Sequence, residues 1–372
     1  MNKKEILEIK KQFTPVNCGI TRIATCYVDY EKNILLNKVE AFLSLPEEEQ
    51  FKYYDILKKS LSGGKGKTLY DIEFATNDGG TDEENFLNEL RKSKLQDEEL
   101  LEQFYDKIID TYDYGENYLI VLVHGLYDIP GKASDEMTMH DASEGVYEYI
   151  VCCICPVGLS KPGLSINAKE SKVENRIRDW IVDMPAHGFL YPAFNDRTMD
   201  IHSLLYYTKK MENMQEEFAF KLTGCPESLI SNAEELAILA DIMQTENTVN
   251  FDMMKNISSN ACAAMNELSD EEMSMSQQQF TTFLKDAGVP EETSEMIAAS
   301  YKKRLGDSHE ISLASMADKS KAIIKTGTSV IKTDSDCIHE LETRKINGRV
   351  YLMIPVHDNL IEVNGVEVLG DK

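Results

Sequence analysis

The residues best suited to chemistry lie in one short segment of the chain, Gly188–His202, between two apolar runs. Carboxylates, a guanidinium and an imidazole placed together can activate water or stabilise a developing negative charge. The candidate catalytic residues are Asp196, Arg197, Asp200 and His202. A hydrolytic metal centre needs several oxygen and nitrogen ligands, and a loop that folds back would supply them. The candidate metal ligands are His187, Asp196, Asp200 and His202.

A simpler interpretation of the same segment is a turn between two strands. Asn and Asp favour turns because their short side chains bond to nearby backbone amides and tolerate left-handed geometry. Asn195 and Asp196 would then cap the turn, Arg197 would pair with an acid, and His202 would be an ordinary strand residue. The segment matches no known metal-ligand spacing. His124-Gly125, at a predicted strand end, and His140-Asp141, in a predicted loop, are further candidates.

Two other motifs favour structure over chemistry. Gly63–Thr68 resembles the end of a phosphate loop, but its first glycine is missing and the order is helix, loop, strand, whereas a phosphate cradle follows a strand and precedes a helix. We interpret it as a helix end followed by a turn. Cys152, Cys153 and Cys155 lie in a predicted strand, which sends Cys152 to one face and the other two to the opposite face. We expect buried thiols there and no metal site.

Composition restricts the classes of function. The formal charge of −25 argues against binding to nucleic acid or anionic membranes, because clustered Lys and Arg drive both. The first residues carry charges every few positions, which excludes a secretory signal there, and no apolar run approaches the roughly 20 residues of a membrane helix. Eight scattered cysteines indicate free thiols. We therefore expect a cytoplasmic protein without membrane contact.

The elements that must position the candidate residues follow from the apolar periodicity. The N-terminal half is expected to begin with helix Asn2–Phe13, to contain further helices, and to form a largely antiparallel sheet with helices on one face. Lys169–Val182 is expected to be helical, and Pro192 indicates an edge strand or a bulge. The predicted strands are Ile20–Val28, Thr68–Phe74, Asn117–His124, Val146–Val157, His187–Phe194 and Asp200–Thr208. A loop of about twenty residues would separate the third and fourth strands.

The C-terminal half changes character. Lys209–Gly306 is helix-forming and rich in Met, which we interpret as flexible core filler, with a partner groove as the alternative. Asn347-Gly348 and Asn364-Gly365 are hairpin signals between β-favouring runs. The expected domains are a sheet domain at 1–208, a helical region at 209–316 and a small β module at 317–372. The predicted fold class is α+β.

Several segments resemble domain-of-unknown-function family 4317, a group from gram-positive, mostly anaerobic bacteria. The resemblance is carried by the N-terminal Asn2–Pro15 with Ile20–Ile23, by Phe42–Glu49, and by Gly188–Thr198, in the same order along most of the chain. It implies no activity, cofactor or catalytic residue, so the cofactor stays unknown.

Two functions are compatible with these observations. The first is a cytoplasmic binding or protein-interaction protein without catalysis, with a protein partner or a second copy as its target. This hypothesis rests on the lack of a complete catalytic motif. The alternative is a hydrolase, possibly metal-dependent, centred on Asn195–His202, in which Arg197 contacts the transition state. A third, nucleic-acid binding through the less acidic N-terminal region, would need a contiguous basic face.

Overall fold

The computed structural model describes the following residues: 1–74, 81–112, 115–132, 138–167, 171–209, 221–222, 232–245, 250–267, 274–305, 311–317, 321–356, 360–363 and 366–369. The chain divides into two compact units, Met1–Leu229 and Ile230–Lys372. The expected three-domain division stays a prediction. In the part of the chain that the structure describes, no helix combines the length and the apolarity needed to cross a membrane.

The first unit contains four of the helices and twelve of the strands that the structure describes. The helices are α1 (Lys3–Lys10), α2 (Glu47–Ser60), α3 (Asp82–Lys92) and α4 (Glu98–Thr111). The strands are β1 (Ile20–Val28), β2 (Ile34–Ala41), β3 (Leu69–Glu73), β4 (Asn117–Lys132), β5 (Thr138–Leu159), β6 (Leu164–Asn167), β7 (Lys172–Asn175), β8 (Trp180–Val182), β9 (His187–Tyr191), β10 (Ala193–Asn195), β11 (Thr198–Asp200) and β12 (Ser203–Thr208).

One eight-stranded antiparallel sheet forms the centre of this unit. Seven strands run in the order β2-β1-β4-β5-β9-β12-β3, and β8 pairs with the end of β5. The predicted α+β class with a largely antiparallel sheet is confirmed. The expected loop between β4 and β5 is wrong, because both strands continue far beyond His124 and Val146 and pair with each other through Lys132 and Thr138.

The central strands of the sheet are buried on both faces, whereas the edge strand β2 is largely exposed. Helices cover both faces, which corrects the expectation of helices on one face only. α3 and α4 cover the face that carries Ile120, Leu122 and Cys152. α1 and α2 cover the opposite face, which carries Val121 and Cys153. The apolar runs of β4 and β5 are continuous and do not alternate, which is the pattern of a strand buried on both sides.

The predicted burial of these cysteines on opposite faces of the sheet is confirmed by this arrangement. Cys152 belongs to the core under α3 and α4, whereas Cys153 and Cys155 belong to the core under α1 and α2. All three thiols are free and buried. Burial raises the pKa of Cys153 to about 12, so it stays a protonated, apolar-like thiol at neutral pH.

The segment predicted as a helix over Lys169–Val182 is instead half of a two-stranded ribbon. The end of β5 pairs with β8, with Val157 opposite Val182 and Leu159 opposite Trp180. Between these two strands the chain leaves the sheet through β6 and returns through β7, which pair with each other. The amide of Ser160 bonds to the Asp179 carbonyl, and that of Arg176 to the Gly163 carbonyl, so the pairing is nearly continuous. We call residues 156–167 and 171–183 the ribbon.

Two local predictions near the sheet have different outcomes. α2 ends at Ser60, and the following turn contains Gly63 and Gly66 with φ of 126° and 72°, so the helix end and turn predicted for the glycine-rich motif are confirmed. Of the two alternatives predicted from Pro192, the edge strand is wrong, because β9 lies between β5 and β12. The proline follows β9, where the chain leaves the sheet.

The described part of the second unit contains helices interleaved with one short two-stranded sheet, followed by three β-hairpins. The helices are α5 (Asn232–Thr245), α6 (Phe251–Glu267), α7 (Gln277–Asp286), α8 (Glu291–Leu305) and α9 (Leu313–Met316). The strands are β13 (Ser274–Met275), β14 (Ile311–Ser312), β15 (Lys321–Lys325), β16 (Val330–Asp334), β17 (Glu342–Ile346), β18 (Arg349–Met353), β19 (Leu360–Val363) and β20 (Val366–Leu369).

Several methionines of this unit lie in its helical core. Met243, Met265 and Met275 are buried there, as core filler would be. Asn347 and Gly348 both have positive φ and close the hairpin β17–β18, which confirms the first Asn-Gly signal. β19 pairs with β20, while Asn364 and Gly365 lie outside the described residues.

The close packing of β9 on β5 gives a test of the sheet register. A methyl group added at Gly188 would lie 2.4 Å from the carbonyl oxygen of Cys152, whereas one added at Gly158 would meet nothing within 4 Å. We expect Gly188→Ala to lower the free energy of unfolding by about 1–3 kcal/mol, since a backbone atom must move. Gly158→Ala is the control, with an expected change within about 0.5 kcal/mol. Urea unfolding followed by circular dichroism measures both, and equal values would refute the register.

Candidate functional site

The central part of Gly188–His202 is a tight hairpin. β10 pairs with β11, with Asn195 opposite Thr198, so Asp196 and Arg197 form a two-residue turn. Their φ values are 49° and 56°. A type I′ turn, which is common in two-residue hairpin loops, requires positive φ at both of these positions. Asp196 is exposed at the turn. The segment is therefore a turn between strands, as in the simpler interpretation.

Arg197 ties this hairpin to α1. Its guanidinium lies 3.1 Å from the Glu8 carboxylate and donates to the Pro130 carbonyl at 2.9 Å, while its backbone amide donates to Glu5 at 3.3 Å. The Tyr127 hydroxyl donates to the same Glu8 oxygen. The guanidinium is thus engaged in joining α1, the hairpin and β4, and it has the acidic partner that the simpler interpretation assigns to it.

Asp200 is also engaged within the hairpin. Its carboxylate accepts hydrogen bonds from the Asn195 amide at 2.7 Å, the Ser203 hydroxyl at 2.6 Å and the His202 backbone at 3.1 Å. Burial alone would raise the pKa of Asp200, but these donors outweigh it and hold the pKa below its usual value. The carboxylate is therefore stabilised in its charged form.

The two histidines of this group have different surroundings. The His202 side chain is 74% exposed, and its Nδ1 lies 3.2 Å from Glu84 of α3. His187 is buried against Tyr112, with ring centroids 5.5 Å apart. Arg197 contacts α1 on one face of the sheet, whereas His202 contacts α3 on the other. The structure thus does not bring Arg197 and His202 to one place.

A metal site is not apparent within the described part of the chain. No group of three or more His, Cys, Asp or Glu side chains there is arranged to hold a metal ion. The side chains of His140 and Asp141 lie outside the described residues. The assignment of catalytic and metal-ligating roles to Asp196, Asp200, His187 and His202 stays a prediction.

A second group of polar side chains lies under α3. His124 near the middle of β4 is fully buried, and its Nε2 lies 3.1 Å from one carboxylate oxygen of Glu148 on β5. Arg91 of α3 donates to the other Glu148 oxygen at 2.6 Å and to Asn88 at 2.8 Å. Thr21 of β1 lies on the far side of the imidazole, with its hydroxyl 2.6 Å from Nδ1. We call Thr21, His124, Glu148 and Arg91 the β1–β4–β5 network.

The network is unusual in its surroundings. Arg91 and His124 are almost completely enclosed by an apolar core, where charged and polar groups are costly unless paired. Arg91 Nε and the buried Tyr191 hydroxyl have no hydrogen-bond partner among the described residues. Apolar residues of similar volume often stabilise a core as well as buried ion pairs do. A contribution to stability alone is therefore a weak explanation for the presence of these polar residues in the core.

Sequence reasoning identified only His124 of this network. Thr21, Glu148 and Arg91 come from three other elements, and the nearest of these to His124 in sequence is 24 residues away. No motif of fixed spacing could join them. The sequence feature that pointed to this site was a histidine at the end of the predicted strand Asn117–His124. Its partners could be identified only once the register of β1, β4 and β5 was known.

The third feature is the apolar surface of the ribbon. Leu164, Ile166 and Val173 are 76%, 82% and 64% exposed, and the pairing of Ile166 with Val173 places them on one face. Leu159, Trp180 and Val182 form a second exposed apolar group nearer the sheet. Contiguous exposed apolar surface is typical of interaction sites.

The fold and these surfaces define an α+β protein with a helix-covered antiparallel sheet in its first unit and helices with hairpins in its second. The chain belongs to the family described as Domain of unknown function (DUF4317), whose model matches residues 1–366, and this confirms the resemblance seen in the sequence. No curated protein and no solved structure matches the chain.

The burial of His187 predicts a specific dependence of stability on pH. Burial lowers its pKa from 6.5 to about 4, so between these values the unfolded chain binds a proton that the folded chain does not. The contribution of the neutral, buried His187 to the free energy of unfolding is fully present above pH 6.5. It falls by about 3 kcal/mol in total as the pH falls towards 4. We expect His187→Gln to reduce the slope of unfolding free energy against pH in this window.

His202→Gln is the matched control for this measurement, because its side chain is mostly exposed. Urea unfolding between pH 4 and pH 7 compares the three proteins. The change of slope is expected to be larger for His187→Gln than for this control. Identical slopes for wild type and His187→Gln would show that His187 is not the group responsible.

Proposed function

We propose that this chain is a protein-interaction protein that binds through the ribbon, and that its partner is a second copy of the chain. The observation that supports this most directly is the exposed apolar face of Leu164, Ile166 and Val173. An isolated two-stranded ribbon is marginal in water, because each apolar face needs a covering layer to be stabilised. A partner that supplies this layer would stabilise the ribbon and remove its apolar surface from water.

The edges and the charge of the ribbon favour a second copy. β6 and β7 pair only with each other among the described strands, so each has an outer edge that can accept another strand. Two antiparallel edges related by a twofold axis are self-complementary. The sequence from Leu159 to Met184 has five basic and four acidic residues, whereas the whole chain has a net charge of −25. The ribbon therefore avoids most of the repulsion between two acidic copies.

This proposal includes the compartment. We infer that the protein works in the cytoplasm, because the described cysteines are free and six of these seven are half-buried or buried thiols. The acidic charge argues against nucleic acid as the ligand. The alternative, a hydrolase centred on Asn195–His202, has less support because Arg197 and Asp200 already have protein partners. Its test is turnover that Asp196→Ala, Asp200→Ala or His202→Ala abolishes without loss of stability.

Trp180 gives a direct measurement of ribbon association. It is the single tryptophan of the chain, lies on the ribbon and is 56% exposed. We expect its emission to shift to shorter wavelength, and its quenching by acrylamide to fall, as the protein concentration rises and copies associate. Light scattering after size exclusion should show a dimer over the same range. Ile166→Ser combined with Ile177→Ser should shift association to at least tenfold higher concentration, which corresponds to about 1.4 kcal/mol.

Val16→Ser is the matched control, because Val16 is 91% exposed but lies outside the ribbon. It should associate as the wild type does. A protein that stays monomeric, with Trp180 equally quenched at every concentration, would refute the second copy as partner. A dimer that forms at the same concentration when Ile166→Ser and Ile177→Ser are combined would show that the contact lies outside the ribbon.

A further inference from the structure

A bulge in β1 places Thr21 next to His124. Ile20 pairs with Gly125 and Arg22 with His124, so Thr21 is an extra residue without an opposite partner. Bulges of this kind redirect a side chain and are frequent beside active sites. The Thr21 hydroxyl lies 2.6 Å from Nδ1 of His124 and 3.3 Å from the carbonyl oxygen of the same residue. The shorter contact is the better hydrogen bond.

The far side of the imidazole fixes which nitrogen accepts this bond. One carboxylate oxygen of Glu148 accepts a hydrogen bond from the Arg91 guanidinium, and the other lies 3.1 Å from Nε2 of His124. A carboxylate only accepts hydrogen bonds, so Nε2 carries the proton and donates it. Nδ1 is then an acceptor and receives the Thr21 hydroxyl. Burial lowers the pKa of His124, although Glu148 opposes the shift, so the free imidazole is neutral near pH 7.

The network reaches the solvent at Thr21 and at Glu148, whose side chain is 21% exposed, and His124 is enclosed between them. His124 is fully buried and the Arg91 side chain is 4% exposed, whereas Thr21 is half-buried at the start of β1. A hydroxyl at the boundary with water, backed by an enclosed base and an oriented carboxylate, is the arrangement of an activated nucleophile. The relative positions of the three groups come from neighbouring strands of one sheet, which hold them rigidly.

We propose that Thr21, His124 and Glu148 form a nucleophile, a base and an orienting acid for the hydrolysis of carboxylic esters. Thr21 Oγ1 attacks the ester carbonyl carbon and its proton passes to His124 Nδ1. The C–O bond to the alcohol then breaks, and the alcohol leaves with that proton. Water, deprotonated by Nδ1, attacks the acyl-threonine, and the carboxylic acid leaves as Thr21 regains its proton. Arg91 is a positioning residue that holds Glu148.

This activity is independent of the ribbon and adds catalysis to a chain for which the sequence favours a non-catalytic function, with a hydrolase as the alternative. That expectation rested on the lack of a complete motif. The network has no motif, because its members belong to three strands and to α3, and they are assembled by the strand register and by the packing of that helix on the sheet.

The full-length protein is tested with p-nitrophenyl acetate. We expect release of p-nitrophenol and, in the acid-quenched protein, the mass of one acetyl group on the peptide that contains Thr21. Thr21→Val keeps the shape of the side chain and removes the hydroxyl, so both signals should disappear. His124→Gln should reduce the rate by about 10²–10⁴-fold, the usual contribution of a general base. Thr21→Ser should restore turnover and acylation.

Thr25→Val is the matched control, because it makes the same change on the same strand and is expected to keep wild-type turnover. Circular dichroism identifies any variant that does not fold, and Thr21→Ser against Thr21→Val decides the question if His124→Gln is unfolded. Acetylation confined to lysines, or hydrolysis that is equal in wild type and Thr21→Val, would overturn the proposal.

Discussion

The antiparallel pairing of β4 with β5 is the constraint on which the rest of the first unit depends. Successive side chains of a strand point to opposite faces, so this register assigns each described side chain of β4 and β5 to one of the two faces of the sheet. Ile120 and Cys152 go under α3 and α4, and Val121 and Cys153 go under α1 and α2. The same alternation places His124 and Glu148 together beneath Arg91. A slip of one residue would exchange both sets.

Much of the fold could be predicted because its signals are local. β1 has the predicted limits, and the alternation of the cysteines and the Asn347-Gly348 turn follow from strand and turn geometry. The ribbon could not be predicted in the same way. Val173, Ile177, Trp180 and Ile181 have the i, i+4, i+7, i+8 spacing of a helix, and only pairing with β5 and β6 decides for strands. Strand pairing with distant residues thus determined the structure of this segment, against the helical spacing of its apolar residues.

The candidate sites show the same limit more sharply. The residues of Asn195–His202 attract attention because they are close in sequence, but Arg197 and His202 lie against helices on opposite faces of the sheet. Thr21 and Glu148 were not singled out, although they flank one imidazole, since 103 residues separate Thr21 from His124. Sequence proximity reports turn chemistry, whereas spatial proximity in a sheet depends on register. The residue types at these positions do not by themselves determine that register.

The ribbon also has a consequence for how proteins of this family can diverge. It grows from the end of β5 and from β8, beyond the last residues that the central core requires. Because its pairing repeats every two residues, adding or removing one such pair from each strand preserves which side of the ribbon is apolar. The length of the ribbon can therefore change by such steps without change to the sheet. Under the proposed function, a change of binding specificity would require no change in the core.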